Sequence, residues 1–291
     1  MNHAFTGTGV AIITPFTAKG AVDVLALIKL TTHIIKGGVE YIVILGTTGE
    51  SVTLTADEKQ LVINTIRSTT KNKCKLVLGI GGNNTQAIID SFKNTDFTGI
   101  SAILSVSPYY NKPGQLGIIA HYKAIVKHSP LPIILYNVPG RTGQSMTPDT
   151  IITLANYSPK FIAVKEASGS IEQAMAIING GIPKSFVVIS GDDPLTLPMM
   201  AIGAVGVISV AGNVYPKQVS DMVRLALKQN FVKAAQLHYQ LLNPTNLMFA
   251  EGNPAGIKEF LKHKTIIDNY VRLPLVTVGK ELSAKIKKSL F

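Results

Sequence analysis

The chain has 291 residues, 46% hydrophobic and 15% charged, which allows a large buried core and argues against a disordered protein. Its net charge of +11 comes from scattered basic residues, with no stripe of basic and aromatic side chains of the kind that binds nucleic acid. The single cysteine, Cys74, excludes an internal disulfide framework. No apolar run approaches the ~18 residues that span a bilayer, and the N-terminus does not resemble a secretory signal. We therefore expect a cytoplasmic protein that binds neither membrane nor nucleic acid.

Short β-branched runs recur along the chain at intervals of roughly thirty residues, and each is followed by a helical pattern. There are eight such runs, at 9–13, 41–45, 75–80, 102–106, 132–137, 161–165, 186–190 and 206–210. Their near-continuous apolar character is typical of parallel strands that are buried on both faces. Eight strand–helix units predict an α/β fold of the (β/α)8 TIM-barrel class, with a doubly wound open sheet as the alternative.

The intervening segments are predicted to be amphipathic helices, for example at 24–36, 55–68, 115–127 and 171–179. In "TADE", Thr55 and Glu58 have the spacing of a capping box at the start of a helix. After about residue 230 no strand run follows, and 231–250, 254–263 and 279–290 are predicted to be helices. We expect a barrel at 1–229 that carries the active site, with a helical extension at 230–291 packed on it.

Polar residues follow the predicted strands at the points where they end, and in such a barrel the C-terminal ends of the strands carry the chemistry. In chain order these residues are Thr47, Thr48 and Glu50, then Asn83, then Tyr109 and Tyr110, then Tyr136, Asn137 and Arg141, then Lys165, then Gly191 to Asp193, and finally Ser209. They predict an active site on one rim of the barrel.

Two glycine-rich stretches resemble nucleotide-binding motifs only in part. "GIGGNN" lacks the final glycine of a dinucleotide fingerprint, and "GTTGES" lacks the lysine of a phosphate-binding loop. The six histidines show no metal-ligand spacing. We therefore expect a site without metal, nucleotide or other cofactor.

Lys165 ends the apolar run "FIAVK", which is an unusual place for an ammonium group. It could simply extend to solvent. On a polar rim, however, apolar neighbours would favour its neutral amine, which attacks ketones and forms a Schiff base. That chemistry requires a proton shuttle, and Tyr136 is the first candidate.

The motifs "GTTGE", "YNVPGRTG", "VKEASG", "SGDD" and "GVISV", in this order, resemble those of the dihydrodipicolinate synthase family. The likeness spans nearly the whole chain, and the wider group includes N-acetylneuraminate lyase and 2-keto-3-deoxy sugar acid aldolases. The resemblance implies a homotetrameric Schiff-base lyase, a dimer of dimers. Such an enzyme condenses pyruvate with L-aspartate 4-semialdehyde on the route to diaminopimelate and lysine.

The resemblance also implies a role for each matching residue. Lys165 would form the Schiff base, and Tyr136 would shuttle protons through Thr47 and through Tyr110 of a neighbouring subunit. Thr48 would bind the pyruvate carboxylate, with Gly191 and Ile208 lining the pocket. The alternatives without a catalytic role are ordinary turn hydrogen bonding for Thr47 and Thr48, and packing at the rim or a subunit contact for Tyr109 and Tyr110.

Arg141 indicates the class of the second substrate, because arginine can bind a carboxylate through two parallel hydrogen bonds. We expect it to bind the second substrate, which favours the synthase over a sugar acid aldolase or sialic acid lyase; the alternative is a solvent-facing loop charge. A keto-acid-binding protein without catalysis is a further possibility, and it would not be trapped by borohydride.

The resemblance finally implies a regulatory site for L-lysine, which is present here only in part. Ser51, Asn83 and Tyr109 match it. Ala87 replaces a glutamate that takes the ligand's ammonium group, and Ala56 and Lys59 stand where some relatives carry histidine. We therefore expect weak inhibition by L-lysine or none.

Overall fold

The structure is a computed structural model that describes residues 3–291. Eight parallel strands close into a barrel in sequence order, because β8 pairs with β1. At this closure Gly206 lies against Gly7, where an added Cβ would be 1.9 Å from the Gly7 carbonyl oxygen. The strands are β1 Gly7–Ala11, β2 Tyr41–Ile44, β3 Lys75–Gly79, β4 Ile100–Val106, β5 Ile133–Asn137, β6 Phe161–Glu166, β7 Val187–Ser190 and β8 Gly206–Ser209.

Residues 3–291 contain twelve α-helices, nine of them within the barrel units. These nine are α1 Val24–Lys36, α2 Ala56–Thr70, α3 Thr85–Lys93, α4 Gln115–His128, α5 Pro139–Thr142, α6 Pro148–Tyr157, α7 Ile171–Asn179, α8 Thr196–Ala201 and α9 Pro216–Leu227. The predicted capping box of α2 is confirmed, because Thr55 accepts from the Glu58 amide and the Glu58 side chain accepts from the Thr55 amide. The TIM-barrel prediction is confirmed, and the open sheet is wrong.

Side chains of alternate strand residues fill the barrel interior, because successive residues of a strand point to opposite faces. The inner cluster includes Tyr41, Val43, Val77, Leu104, Ile134, Ile189 and Ile208. The outward-facing set packs under the helices in two further clusters. Both faces of the sheet are therefore apolar, which explains the continuous runs in the sequence.

The first strand begins and ends two residues earlier than its apolar run. Ile12 and Ile13 are both buried but lie beyond β1. The Ile13 amide donates to the side chain of Asn213, 3.1 Å away, instead of continuing the ladder. Hydrophobicity reports burial here, whereas the strand boundary is set by hydrogen bonding.

The C-terminal segment forms three helices, as predicted: α10 Phe231–Phe249, α11 Ala255–His263 and α12 Lys280–Lys288. They pack against one another, and α10 also packs on α8 and α9. The division into units at 1–229 and 230–291 stays a prediction, and its residues 1 and 2 lie outside the described part of the chain. None of the helices in residues 3–291 has the length and apolar character required to cross a bilayer.

Candidate functional site

Lys165 and Tyr136 lie side by side at the C-terminal mouth of the barrel. They are direct partners in the register of β5 and β6. The Lys165 side chain is 4% exposed overall, and its Nζ lies 4.2 Å from the centroid of the Tyr136 ring. Among residues 3–291 no carboxylate forms an ion pair with this amine. The structure thus brings together a buried amine and a phenol, the pair that Schiff-base chemistry requires.

Gly191 borders Lys165 at the end of β7. An added Cβ would lie 2.9 Å from Lys165 Cε and 2.7 Å from Ala167 Cβ, so any side chain at this position would press on the lysine. The Gly191 amide donates to the Glu166 carbonyl, 2.7 Å away, which fixes the backbone there. Ile208, on β8, is fully buried in the inner cluster. Gly191 therefore follows β7, the strand next to β6, and Ile208 lies one strand further, on β8.

The "GTTGE" segment forms a short 3₁₀ turn, Thr47–Gly49, directly after β2. The first amides of such a turn have no acceptor within it and can bind an anion. Thr47 is exposed, whereas Thr48 is buried and its hydroxyl contacts Asn253. The structure thus places the two predicted threonines in different environments.

Glu50 ends this turn with a left-handed backbone, φ 52°. Its buried carboxylate pairs with Lys258 Nζ at 2.5 Å, and it also accepts from the Arg272 amide at 3.1 Å. The same Lys258 amine donates to the Tyr270 carbonyl and lies 4.2 Å from the ring centroid of Phe16. Burial lowers the pKa of Lys258 to about 8, although Glu50 acts in the opposite direction. The C-terminal extension thus anchors the turn that follows β2.

Glu166 follows Lys165 in the chain and points away from the barrel interior into a network of neutral donors. Its carboxylate accepts from Asn137 Nδ2 at 3.0 Å, from Gln173 Nε2 at 3.0 Å and from the Ser168 amide at 2.7 Å. Asn137 Oδ1 accepts in turn from the Met146 amide at 2.9 Å. The network joins the exits of β5 and β6 and holds the end of the loop that carries Arg141.

A cavity of about 840 Å³ opens from the barrel mouth and continues outward between α2 and α3. Thr47, Tyr136 and Arg141 line its inner part. Lys59 and Arg141 are its only charged lining residues among the described part of the chain, and neither Asp nor Glu lines it. The cavity therefore suits an anionic ligand.

The outer part of this cavity collects the predicted remnant of a regulatory site. Ser51, Asn83 and Tyr109 all line it, and Asn83 Nδ2 donates to the Tyr109 carbonyl at 3.2 Å. Ala56, Lys59 and Ala87 line it as well. Tyr110 does not line this cavity; its backbone is left-handed, φ 70°, and the residue is 87% exposed.

Three residues of this region were not found from the sequence: Glu166, Asn253 and Lys258. Glu166 could have been suspected, since it is a carboxylate at the end of an apolar strand. Asn253 and Lys258 carried no usable signal, because they lie more than 200 residues from the partners they contact. Residues 3–291 contain no cluster of three or more potential metal ligands.

Comparison with known proteins identifies the family. The profile of the dihydrodipicolinate synthetase family matches residues 4–290. A Flavobacterium psychrophilum protein named 4-hydroxy-tetrahydrodipicolinate synthase is 52% identical over 284 residues, covering 98% of this chain and 97% of the relative.

Two solved structures resemble this one closely. A chloride-inhibited dihydrodipicolinate synthase from Acinetobacter baumannii, complexed with pyruvate, has a TM-score of 0.94 and 37% identity, covering 98% of this chain and 97% of that one. A dihydrodipicolinate synthase from Cyanidioschyzon merolae with lysine bound has a TM-score of 0.94 and 35% identity, covering 99% and 98%. The near-complete family match and this shared barrel lead to one conclusion: the chain belongs to the dihydrodipicolinate synthetase family.

Proposed function

We propose that the chain is a 4-hydroxy-tetrahydrodipicolinate synthase that condenses pyruvate with L-aspartate 4-semialdehyde. The observation that carries this proposal is the buried Lys165 amine beside the Tyr136 ring at the barrel mouth. A relative with 52% identity over nearly the whole chain has this name, and a related structure holds pyruvate. The product would enter the diaminopimelate and lysine pathway.

The first chemical step joins pyruvate to the enzyme. The neutral Lys165 amine attacks the C2 ketone, and the carbinolamine loses water to give a protonated Schiff base. The hydroxyl that leaves needs a proton, and we assign its supply to Tyr136, whose ring centroid lies 4.2 Å from Lys165 Nζ. Amides and hydroxyls of the "GTTGE" turn, Thr48 in particular, are suited to hold the pyruvate carboxylate.

The second step forms the new carbon–carbon bond. The protonated imine withdraws electrons, so C3 of pyruvate gives a proton to the Tyr136 oxygen, which lost its own in the first step, and becomes an enamine carbon. This carbon attacks the semialdehyde carbonyl, whose oxygen takes a proton from Tyr136, with Thr47 in the relay. The amino group of the second substrate then attacks C2 and releases the Lys165 amine, which closes the ring. Gly191 and Ile208 would shape the pocket around C2 and C3.

Arg141 is assigned to the carboxylate of the semialdehyde. It lines the cavity near Tyr136, and among residues 3–291 no carboxylate pairs with it. An exposed guanidinium without a partner is free to bind an anion through two hydrogen bonds. The same residue disfavours a 2-keto-3-deoxy sugar acid or a sialic acid as the substrate.

We propose that Tyr110 serves a neighbouring subunit in a homotetramer. Its side chain is 87% exposed and outside the cavity of its own subunit, as a residue that acts across an interface would be. Lys165→Ala and Tyr110→Phe should each be inactive alone, but mixing them should restore about a quarter of the wild-type activity. About half of randomly formed dimers contain one subunit of each kind, and in such a dimer one of the two sites is complete. Activity that stays at the level of the parent variants would place Tyr110 in its own subunit's site or outside catalysis.

A cytoplasmic location is also proposed, in keeping with the single cysteine.

Borohydride reduction in the presence of pyruvate tests the central proposal. The peptide containing Lys165 should gain the mass of reduced pyruvate, and activity should be lost. Lys258 is the internal control, because it is buried to a similar degree but engaged by Glu50. A label on another lysine, or none, would overturn the mechanism. Turnover of a sugar acid but not of the semialdehyde would instead support the aldolase alternative.

A further inference from the structure

Asn253 reaches from the C-terminal extension into the turn that follows β2. Its Nδ2 donates to the Thr48 hydroxyl oxygen at 3.0 Å, across 205 residues of sequence. Both side chains are buried, with Asn253 8% and Thr48 3% exposed. The contact is therefore shielded from water and cannot be replaced by solvent at little cost.

The direction of this hydrogen bond decides what Thr48 can do. A threonine hydroxyl has one proton to donate and lone pairs that accept. Because Asn253 donates to it, the Thr48 proton is left for another acceptor. No such acceptor for this hydroxyl is found among residues 3–291. A carboxylate bound at the turn would be that acceptor.

Rigid surroundings hold Asn253 in place. It lies directly before α11, which carries Lys258 one turn later into the ion pair with Glu50. At Gly256 an added Cβ would lie 2.3 Å from the Met248 carbonyl oxygen, so α10 and α11 approach closely there. From the other side, the Thr14 hydroxyl donates to the Gly49 carbonyl at 2.7 Å. Both partners of the Asn253–Thr48 bond are thus fixed independently.

The side-chain oxygen of Asn253, Oδ1, takes no part in the contact with Thr48. It is buried and has no hydrogen-bond partner in the described chain. Buried polar atoms are normally paired, and an unpaired one has a specific explanation, such as a bound water, an ion or a functional role.

We propose that Asn253 is a positioning residue that turns Thr48 into a hydrogen-bond donor toward the carboxylate of the 2-keto acid substrate. The inference rests on the proposed function, in which Thr48 binds pyruvate. It makes the C-terminal extension part of the substrate site, although Asn253 itself does not touch the reacting atoms.

The test is a double-mutant cycle on the pyruvate KM. Asn253→Ala removes the donor without adding charge, and the pyruvate KM should rise on the order of ten-fold, with kcat and the semialdehyde KM much less affected. In a Thr48→Val background the same substitution should change the pyruvate KM by less than about twofold. A KM within twofold of wild type for Asn253→Ala, or an equal effect in both backgrounds, would overturn the proposal.

Further measurements distinguish a change in the positioning of Thr48 from unfolding and from an incorrect proposed function. Asn246→Ala removes an exposed amide from the same extension and should leave the pyruvate KM unchanged. If Asn253→Ala does not fold, Asn253→Asp is measured instead. A carboxylate at this position would accept the Thr48 proton. Asn253→Asp should therefore raise the pyruvate KM more when Thr48 is present than in the Thr48→Val background. If borohydride reduction with pyruvate does not label Lys165 in the wild type, the proposed function itself is wrong, whatever result the double-mutant cycle gives.

Discussion

Replacing Lys258 by methionine should destabilise the protein strongly, because it leaves a buried carboxylate without its counter-ion. The Lys258 side chain is 0% exposed and that of Glu50 is 2% exposed. In the variant Glu50 would keep only the Arg272 amide as a named donor. Breaking a buried pair from one side costs about 3–5 kcal/mol, which corresponds to a fall in melting temperature of roughly 10 °C for a domain of this size.

The reasoning predicts a different result when both charges are removed. Lys258→Met combined with Glu50→Gln should recover most of the loss, since glutamine can still accept from the Arg272 amide. Lys285→Met is the matched control, because its pair with Glu281 is exposed and its loss should leave the urea midpoint nearly unchanged. Urea unfolding gives all three values. A cost below about 1 kcal/mol for Lys258→Met, or a double variant as unstable as the single one, would refute the argument.

The same pair predicts a dependence of stability on pH. The pKa of Lys258 is about 8 in the folded protein, against an ordinary value of 10.5. Between these values the unfolded chain holds the proton and the folded chain does not, so this group's contribution to the free energy of unfolding rises with pH. Lys258→Met should lack that rise from pH 8 to 10, which urea midpoints at the two pH values would reveal.

Three further experiments address the site, and a fourth addresses the stability of the fold through a buried histidine. Tyr136→Phe should lower kcat on the order of 10²-fold or more, because the proton relay is lost; steady-state assays that show less than a tenfold loss would contradict the role. Arg141→Ala should raise the semialdehyde KM much more than the pyruvate KM; the reverse order would mean the residue binds pyruvate. L-lysine, titrated at limiting pyruvate, should not reach half-inhibition below about 1 mM, because Lys59 and Ala87 offer the ligand's ammonium groups repulsion and no acceptor. Burial lowers the pKa of His121 to about 4, so stability should fall as pH drops from 6.5 toward 4; His121→Asn should flatten that fall in urea midpoints.

The barrel was predictable because each strand is an apolar run whose two faces are both covered. The rim residues were predictable for the same reason, since a polar residue that ends such a run has to lie at an end of the barrel. Ile12 and Ile13 show the limit of this signal, because both are buried but lie beyond the last residue of β1. The contacts of Asn253 and Lys258 were out of reach, since one sequence contains no information on which distant residues meet.

Assembly of the turn after β2 depends on residues that follow all eight strands in the sequence. Glu50 meets Lys258 across 208 residues, and Arg272, which also donates to Glu50, comes later still. A growing polypeptide can complete the strands of the barrel while this turn still lacks its anchor. Binding of pyruvate at Thr48, as proposed, would therefore depend on residues that follow the barrel: a product truncated before Asn253 would contain Lys165, Tyr136 and all eight strands, yet it would have neither the counter-ion of Glu50 nor the donor for Thr48.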